Sequence, residues 1–308
     1  MNIGLCGTGR MGTAMAHRLL DQGHQLTLWN RSPAKLKPLL ERGAKAAASP
    51  QSLLAAQDIV ITSLTDAAAI AAVYDGPQGL LSGDAKGRLL IEMSTVTPEV
   101  TRQLAARVGR AGAALVECPI GGGVGPARNG KLLGLAGGEA VAFARARPVL
   151  EQLCRRVDHV GPSGAGSAMK LAINLPLIVY WETLGEALSL VSDLDLAPAK
   201  LLEIFNESPG GTNALKLRAP TIVSVLEGAT PDVGFDLNGM RKDLSTMLEW
   251  GRIRGVELPA AAKTLDSFDA AIKEGLGERD NSLLIAWRVA QARKRPKADI
   301  TEPDRLPA

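Results

Sequence analysis

Apolar residues follow two different rhythms along this chain, and the change from one to the other falls near residue 162. Before it, short apolar runs alternate with stretches of helical periodicity. The runs Asn2-Ile3-Gly4-Leu5-Cys6, Gln25-Leu26-Thr27-Leu28-Trp29, Gln57 to Thr62, Arg88 to Met93 and Ala114-Leu115-Val116-Glu117 predict strands, and the Ala/Leu-rich amphipathic stretches between them predict helices. Regular alternation of this kind builds a doubly wound α/β sheet. After Val160-Gly161-Pro162 the strand pattern stops, and Ala/Leu periodicity continues to about Arg295. The expected organisation is therefore an α/β domain over 1–162, an all-helical domain over 163–295 joined to it by a long helix, and a Pro-containing flexible tail over 296–308. That long helix, roughly Ser163 to Asp193, contains Pro176, whose missing N–H should kink it just after Lys170 and Asn174. No internal repeat is present.

The first strand runs straight into Gly7-Thr8-Gly9-Arg10-Met11-Gly12, with the helical pattern Met15, Leu19, Leu20 behind it. Between a strand and a helix, this spacing marks a Rossmann dinucleotide loop. Gly7 makes the tight turn, Gly9 lets the backbone touch a pyrophosphate, Gly12 lets helix and strand pack closely, and the helix N-terminus supplies partial positive charge. An acidic residue after the second strand would bind the ribose 2′-hydroxyl of NAD. Here the chain carries Asn30-Arg31-Ser32, with Lys35 one turn on. Arg31 can stack on adenine and pair with a 2′-phosphate, and Ser32 and Lys35 can add contacts, so NADP(H) is preferred over NAD(H). A solvated basic helix start is the competing reading, although helix N-termini more often carry acids.

Composition narrows the class. The chain has 308 residues, enough for about two domains, and 46% hydrophobic residues, enough for real cores. Its formal charge of +3 is spread along the chain, which argues against nucleic acid, and the basic cluster Arg293-Lys294-Arg295 lies near the end. Cys6, Cys118 and Cys154 lack CxxC spacing and read as reduced, buried thiols in a cytoplasmic setting. The opening residues are themselves a strand, so no signal peptide is expected there. The apolar run Leu171 to Trp181 is too short for a membrane span. His17, His24 and His159 lack ligand spacing, so no metal is expected.

Open α/β sheets bind ligands in the loops after their strands. Three such loops stand out: Ser63-Leu64-Thr65-Asp66, Met93-Ser94-Thr95, and the glycine run Gly121-Gly122-Gly123-Val124-Gly125. Thr65 and Thr95 can equally be N-caps of the following helices. The glycines can converge N–H groups on an anion, or form a flexible linker. Farther on, Gly161-Pro162-Ser163-Gly164-Ala165-Gly166 leads a helix that carries Lys170 and Asn174 at i and i+4 on one face. A buried Lys tends towards a lowered pKa, which suits a general acid/base. An ion pair with a distant carboxylate is the structural alternative.

Together these segments resemble the β-hydroxyacid dehydrogenase family, the group that includes 3-hydroxyisobutyrate dehydrogenase and the semialdehyde reductases, over about residues 1 to 290. Gly7 to Gly12 resemble its cofactor loop. Glu117-Cys118-Pro119-Ile120-Gly121-Gly122-Gly123 resembles its substrate motif, Gly161 to Asn174 its catalytic motif, and Lys242-Asp243-Leu244 its late K-D-L. The resemblance implies that Lys170 exchanges the proton at the substrate oxygen, that Asn174 orients the substrate, that Gly121 lies at the substrate site, and that the backbone N–H groups of Gly122 and Gly123 hold its carboxylate. It also implies that Leu64, Thr65 and Thr95 line the nicotinamide and ribose, that Lys242 reaches the cofactor, and that the chain forms a homodimer or homotetramer through its helical part. The Asn30-Arg31-Ser32 pattern resembles the NADPH-preferring reductase branch. Gly121 stands where the family motif has Ser, which weakens or rearranges carboxylate recognition, while Pro209 to Asn213 and Phe235 are expected to complete the pocket. Two alternatives remain: an imine reductase on the same scaffold, whose members usually lack the Lys, and a non-catalytic NADPH-binding scaffold.

Overall fold

The computed structural model describes residues 1–294; the expected tail at 296–308, and Arg295 of the basic cluster, lie outside the described residues. Packing divides the chain into two units. One is Met1–Leu175 with Lys242–Leu258, and the other is Pro176–Arg241 with the residues from Pro259 onward.

The first unit is built on a nine-stranded sheet: β1 (Asn2–Cys6), β2 (Gln25–Trp29), β3 (Lys45–Ala46), β4 (Ile59–Thr62), β5 (Leu89–Glu92), β6 (Ala114–Glu117), β7 (Ile120–Gly121), β8 (Leu132–Gly138) and β9 (Cys154–Gly161). Its order is β3-β2-β1-β4-β5-β6-β8-β7, with β9 also paired to β8. The strands from β3 to β6 are all parallel, whereas β8 runs antiparallel to β6 and β7. The chain builds outward from β1 through β2 to β3 and then returns to place β4 on the other side of β1. Such a reversal opens a crevice at the carboxyl ends of β1 and β4, where ligands bind in sheets of this kind.

A parallel sheet is stable only when both faces are covered. The period-two alternation provides for this. Ile3, Leu5, Ile61, Ile91 and Val116 enter one buried cluster with Met15 and Leu19, while Cys6, Val60, Leu90 and Leu115 enter another with Ile70, Tyr74 and Leu104. The first, second and Ala114 runs form strands with the expected bounds, whereas the Gln57 and Arg88 runs begin pairing only at Ile59 and Leu89. Four strands, β3, β7, β8 and β9, escape the sequence pattern. β3 and β7 have two residues each, and the glycine-interrupted LLGLAGG of β8 reads as a poor strand until its neighbours pair with it.

Beyond Gly161 the described residues form helices, with one isolated bridge between Asp236 and Asp280. The long helix spans Ala165–Leu190, slightly shorter than expected, and contains Pro176, at which the packing division falls. The second unit contains the helices Pro198–Glu207, Asn213–Leu226, Pro259–Ala271 and Leu283–Lys294, whose buried residues include Leu202, Ile222, Phe268 and Ile285. Buried Glu182 pairs there with Arg288, which also donates to Ser267 Oγ at 2.6 Å. The helix Leu237–Arg254 begins in the second unit and ends in the first. No helix among the described residues is long and apolar enough to cross a membrane.

Candidate active site

The glycine loop follows β1 at the reversal point. Gly7 has a φ of +93°, and a Cβ built there would lie 2.2 Å from Ser63 O; one on Gly12 would lie 1.9 Å from Gly7 O. Both positions therefore require glycine on steric grounds. Nothing lies within 4 Å of a Cβ on Gly9, the position where backbone should be open to a ligand. Exposed Gly9 starts the helix Arg10–Asp21, which has no side-chain cap and no acid in its first turn. Met11 is half-buried behind it and Arg10 is exposed. Beside the loop, Thr8 is buried and its hydroxyl has no partner among the described residues. Uncapped N–H groups, an open glycine and an orphaned hydroxyl fit a pyrophosphate.

At the end of β2, Asn30 is committed internally. Its side-chain oxygen accepts from Thr8 N at 3.0 Å, and its amide donates to Ser32 O at 2.9 Å. Asn30 thus ties the glycine loop to the residues after β2 and presents no carboxylate. Arg31, Ser32 and Lys35 are all exposed, around the one-turn helix Pro33–Leu36, and the Ser32 side chain makes no capping bond.

The loops after β4 and β5 are tied to each other. Ser94 Oγ accepts from Leu64 N at 2.8 Å, and Ser94 N donates to Glu92 Oε1 at 2.7 Å. Glu92 is fully buried, and it also accepts from Thr62 and Tyr74. Burial pushes its pKa up, opposed by the hydrogen bonds from Ser94, Thr62 and Tyr74. The capping alternative for the two threonines is not realised. Asp66 caps the helix Ala67–Asp75 through Ala69 N, and Thr97, not Thr95, stands at the N-cap of Pro98–Arg110. Thr65 is exposed and hydrogen-bonds Asp66, and the Thr95 carbonyl accepts from Lys242 Nζ at 3.0 Å.

Gly121 lies in β7, Gly122 has a φ of +121°, and Gly123 precedes the short helix Val124–Arg128. The run is thus an ordered turn, with Gly122 and Gly123 exposed. A Cβ on Gly121 would make only ordinary contacts with Leu133 and Ile173, so side-chain bulk is not what excludes serine from that position.

Lys170 is 7% exposed and donates from Nζ to Asn174 Oδ1 at 2.9 Å. Burial lowers its pKa to about 8; the Asp243 carboxylate opposes this, and Lys242 adds to it. Asp243 is itself buried and pairs with Lys242 at 2.6 Å. Lys170, Asn174, Asp243, Lys242 and the Thr95 carbonyl thus form one cluster inside the first unit. Phe235 belongs to the second unit. There its carbonyl accepts from Asn281 N and Nδ2, at 3.0 and 2.8 Å, beside the buried carboxylate of Asp280. Among the described residues, no group of three or more His, Cys, Asp or Glu is placed to hold a metal ion.

In the sequence Asp243 and Glu117 stand only as members of the K-D-L and substrate motifs, with no role of their own. The bonds of Glu117 run to backbone far along the chain, and the charge of Asp243 acts across from another helix, so no local spacing signals either.

A glycine loop at the reversal point of a parallel sheet, with a buried Lys hydrogen-bonded to a half-buried Asn on the helix that follows β9, defines a nicotinamide-dependent oxidoreductase. Residues 2–161 match the model of the NAD-binding domain of 6-phosphogluconate dehydrogenase, and residues 164–288 that of the NAD-binding region of NADP-dependent 3-hydroxyisobutyrate dehydrogenase. The 3-hydroxyisobutyrate dehydrogenase of Pseudomonas aeruginosa is 36% identical over 288 residues, covering 89% of this chain and 95% of that one. Glyoxylate/succinic semialdehyde reductase 1 of Arabidopsis thaliana is 31% identical, covering 92% and 97%. Among solved structures, Psf3 in complex with NADP+ and 2-OPP superposes with a TM-score of 0.82 at 26% identity, covering 92% of this chain and 99% of that one. The chain belongs to the β-hydroxyacid dehydrogenase family.

Proposed function

We infer that this chain is an NADP(H)-dependent oxidoreductase that interconverts a small β-hydroxyacid and its semialdehyde, with Lys170 as general acid/base. One observation carries the reading: a buried Lys hydrogen-bonded to Asn174, with a pKa near 8, titrates in the range where a proton can move either way. The bound nicotinamide would supply or accept the hydride. In reduction, the Lys170 ammonium gives its proton to the carbonyl oxygen as the C–H bond forms. In oxidation, the neutral amine takes the hydroxyl proton. Asn174 holds Lys170 and orients the substrate oxygen, and Gly121 to Gly123 offer backbone N–H groups to a carboxylate.

The preference for NADP(H) rests on Arg31, Ser32 and Lys35, and on the absence of an acid at Asn30. Residues 1–162 would form the cofactor domain. The helical part from 163 would supply the surface for self-association into a dimer or tetramer. The substrate class is that of the relatives, 3-hydroxyisobutyrate-, glyoxylate- or succinic-semialdehyde-like compounds. The test is a panel of glyoxylate, succinic, methylmalonic and tartronic semialdehydes and a cyclic imine, each with NADPH and NADH. Turnover of a semialdehyde with NADPH ahead of NADH is expected. Imine turnover alone, or tight NADPH binding with no turnover, would replace the reading.

A further inference from the structure

The first N–H groups of any helix lack partners within the helix, and burying them unpaired is costly. At the start of Ala165–Leu190, the partner comes from a strand far back in the sequence. Glu117 ends β6 at 1% exposure. Its Oε1 accepts from Gly164 N and from Gly166 N, the latter at 3.0 Å, and its Oε2 accepts from Ser167 N at 3.2 Å and from the Ser167 hydroxyl. That hydroxyl also meets Thr101 Oγ1 at 2.8 Å. One carboxylate therefore gathers four donors from a single turn, and its charge faces the positive end of the helix dipole.

The approach is as close as backbone permits. A Cβ on Gly166 would lie 2.2 Å from Leu135 O, and one on Gly137 would lie 2.3 Å from Glu117 Oε1. The glycines ahead of Lys170 thus let a helix start sit directly on a buried carboxylate. Ser167, Lys170 and Asn174 stand at i, i+3 and i+7, on one face of the helix, so the turn held by Glu117 is the turn before Lys170.

We propose that Glu117 is a positioning residue of this active site: by clamping the first turn of the helix, its carboxylate fixes where Lys170 and Asn174 meet the substrate. The proposal rests on the reading of Lys170 as general acid/base. Glu117 acts through geometry, since burial and Lys242, working against Asp243, account for the lowered pKa of Lys170. Catalysis is sensitive to such geometry, because a misplacement of about 1 Å can cost on the order of a hundredfold.

Glu117→Gln keeps the shape, but its NH2 then faces a backbone N–H, donor against donor. The expected result is a fall in kcat of about 10- to 100-fold per NADPH-binding site, with KM and the NADPH Kd changed by less than about twofold. Glu117→Asp, which keeps the charge but shortens the reach, should fall between wild type and Glu117→Gln. Ser167→Ala, which removes one of the four donors, should lower kcat by about three- to tenfold. Counting kcat per NADPH-binding site separates positioning from folding. If Glu117→Gln only reduces the number of sites while each keeps wild-type kcat, the proposal is overturned. If Glu117→Gln does not fold, an unchanged kcat in Ser167→Ala overturns it. Lys170→Ala is measured alongside. Its full activity would refute the underlying reading, whereas its inactivity beside an active Glu117→Gln would refute the clamp alone.

Discussion

At the residue scale, the proposed chemistry turns on one amine. Lys170 has a pKa of about 8 because burial disfavours its charged form more than the Asp243 carboxylate restores it. The sign follows from the two directions of reaction. Carbonyl reduction needs the ammonium, so kcat/KM should fall as pH rises through about 8; alcohol oxidation needs the free amine, so its rate should rise through the same value. Asp243→Asn removes a charge that favours the ammonium, with Lys242 remaining as the adjacent cation, and should move both limbs to lower pH. Paired pH–rate profiles of wild type and variant check this, and a limb that Asp243→Asn leaves in place would show that another group is titrating. The Lys170–Asn174 pair was legible in the sequence because i and i+4 share a helical face. The influence of Asp243 was not, because it depends on tertiary packing of a distant helix.

At the scale of elements, the proposed preference for NADP(H) rests on the end of β2. Asn30 spends its side chain on Thr8 N and Ser32 O, and Arg31, Ser32 and Lys35 are left exposed, free to meet the 2′-phosphate of the proposed cofactor. Arg31→Asp should weaken NADPH far more than NADH, with a loss of about 2 to 4 kcal/mol in transition-state binding, a hundredfold or more in kcat/KM. Steady-state kinetics with both cofactors would decide it, and equal losses for NADPH and NADH would refute the role of Arg31. The strands β1, β2 and β6 could be read to the residue from apolar runs bounded by turn signals. β8 could not, since three glycines in seven residues hide a strand whose stability comes from pairing with β6, β7 and β9. Similarly, Thr65 and Thr95 were plausible caps by position, yet Asp66 caps one helix and Thr97 takes the N-cap position of the other.

At the scale of the whole molecule, the switch from alternating strands and helices to helices alone was visible near residue 162, and β9, the last strand among the described residues, ends at Gly161. The packing of Lys242–Leu258 with the strand-bearing unit was not visible, because helical periodicity records which face is apolar and not which partner covers it. That packing brings Lys242 and Asp243 to Lys170 and Thr95, and so joins a late motif to an early one. Family membership, the Rossmann loop and the Lys170–Asn174 pair support the proposed hydride transfer with Lys170 supplying the matching proton. The most direct test is Lys170→Ala, assayed on the best substrate with NADPH and its 4-deuterated form. A kcat lower by about 10² to 10⁴ with NADPH affinity nearly unchanged is expected, since proton transfer is lost while the glycine loop is untouched. Retention of more than about a third of wild-type kcat, with an isotope effect showing hydride transfer to be rate-limiting, would contradict it.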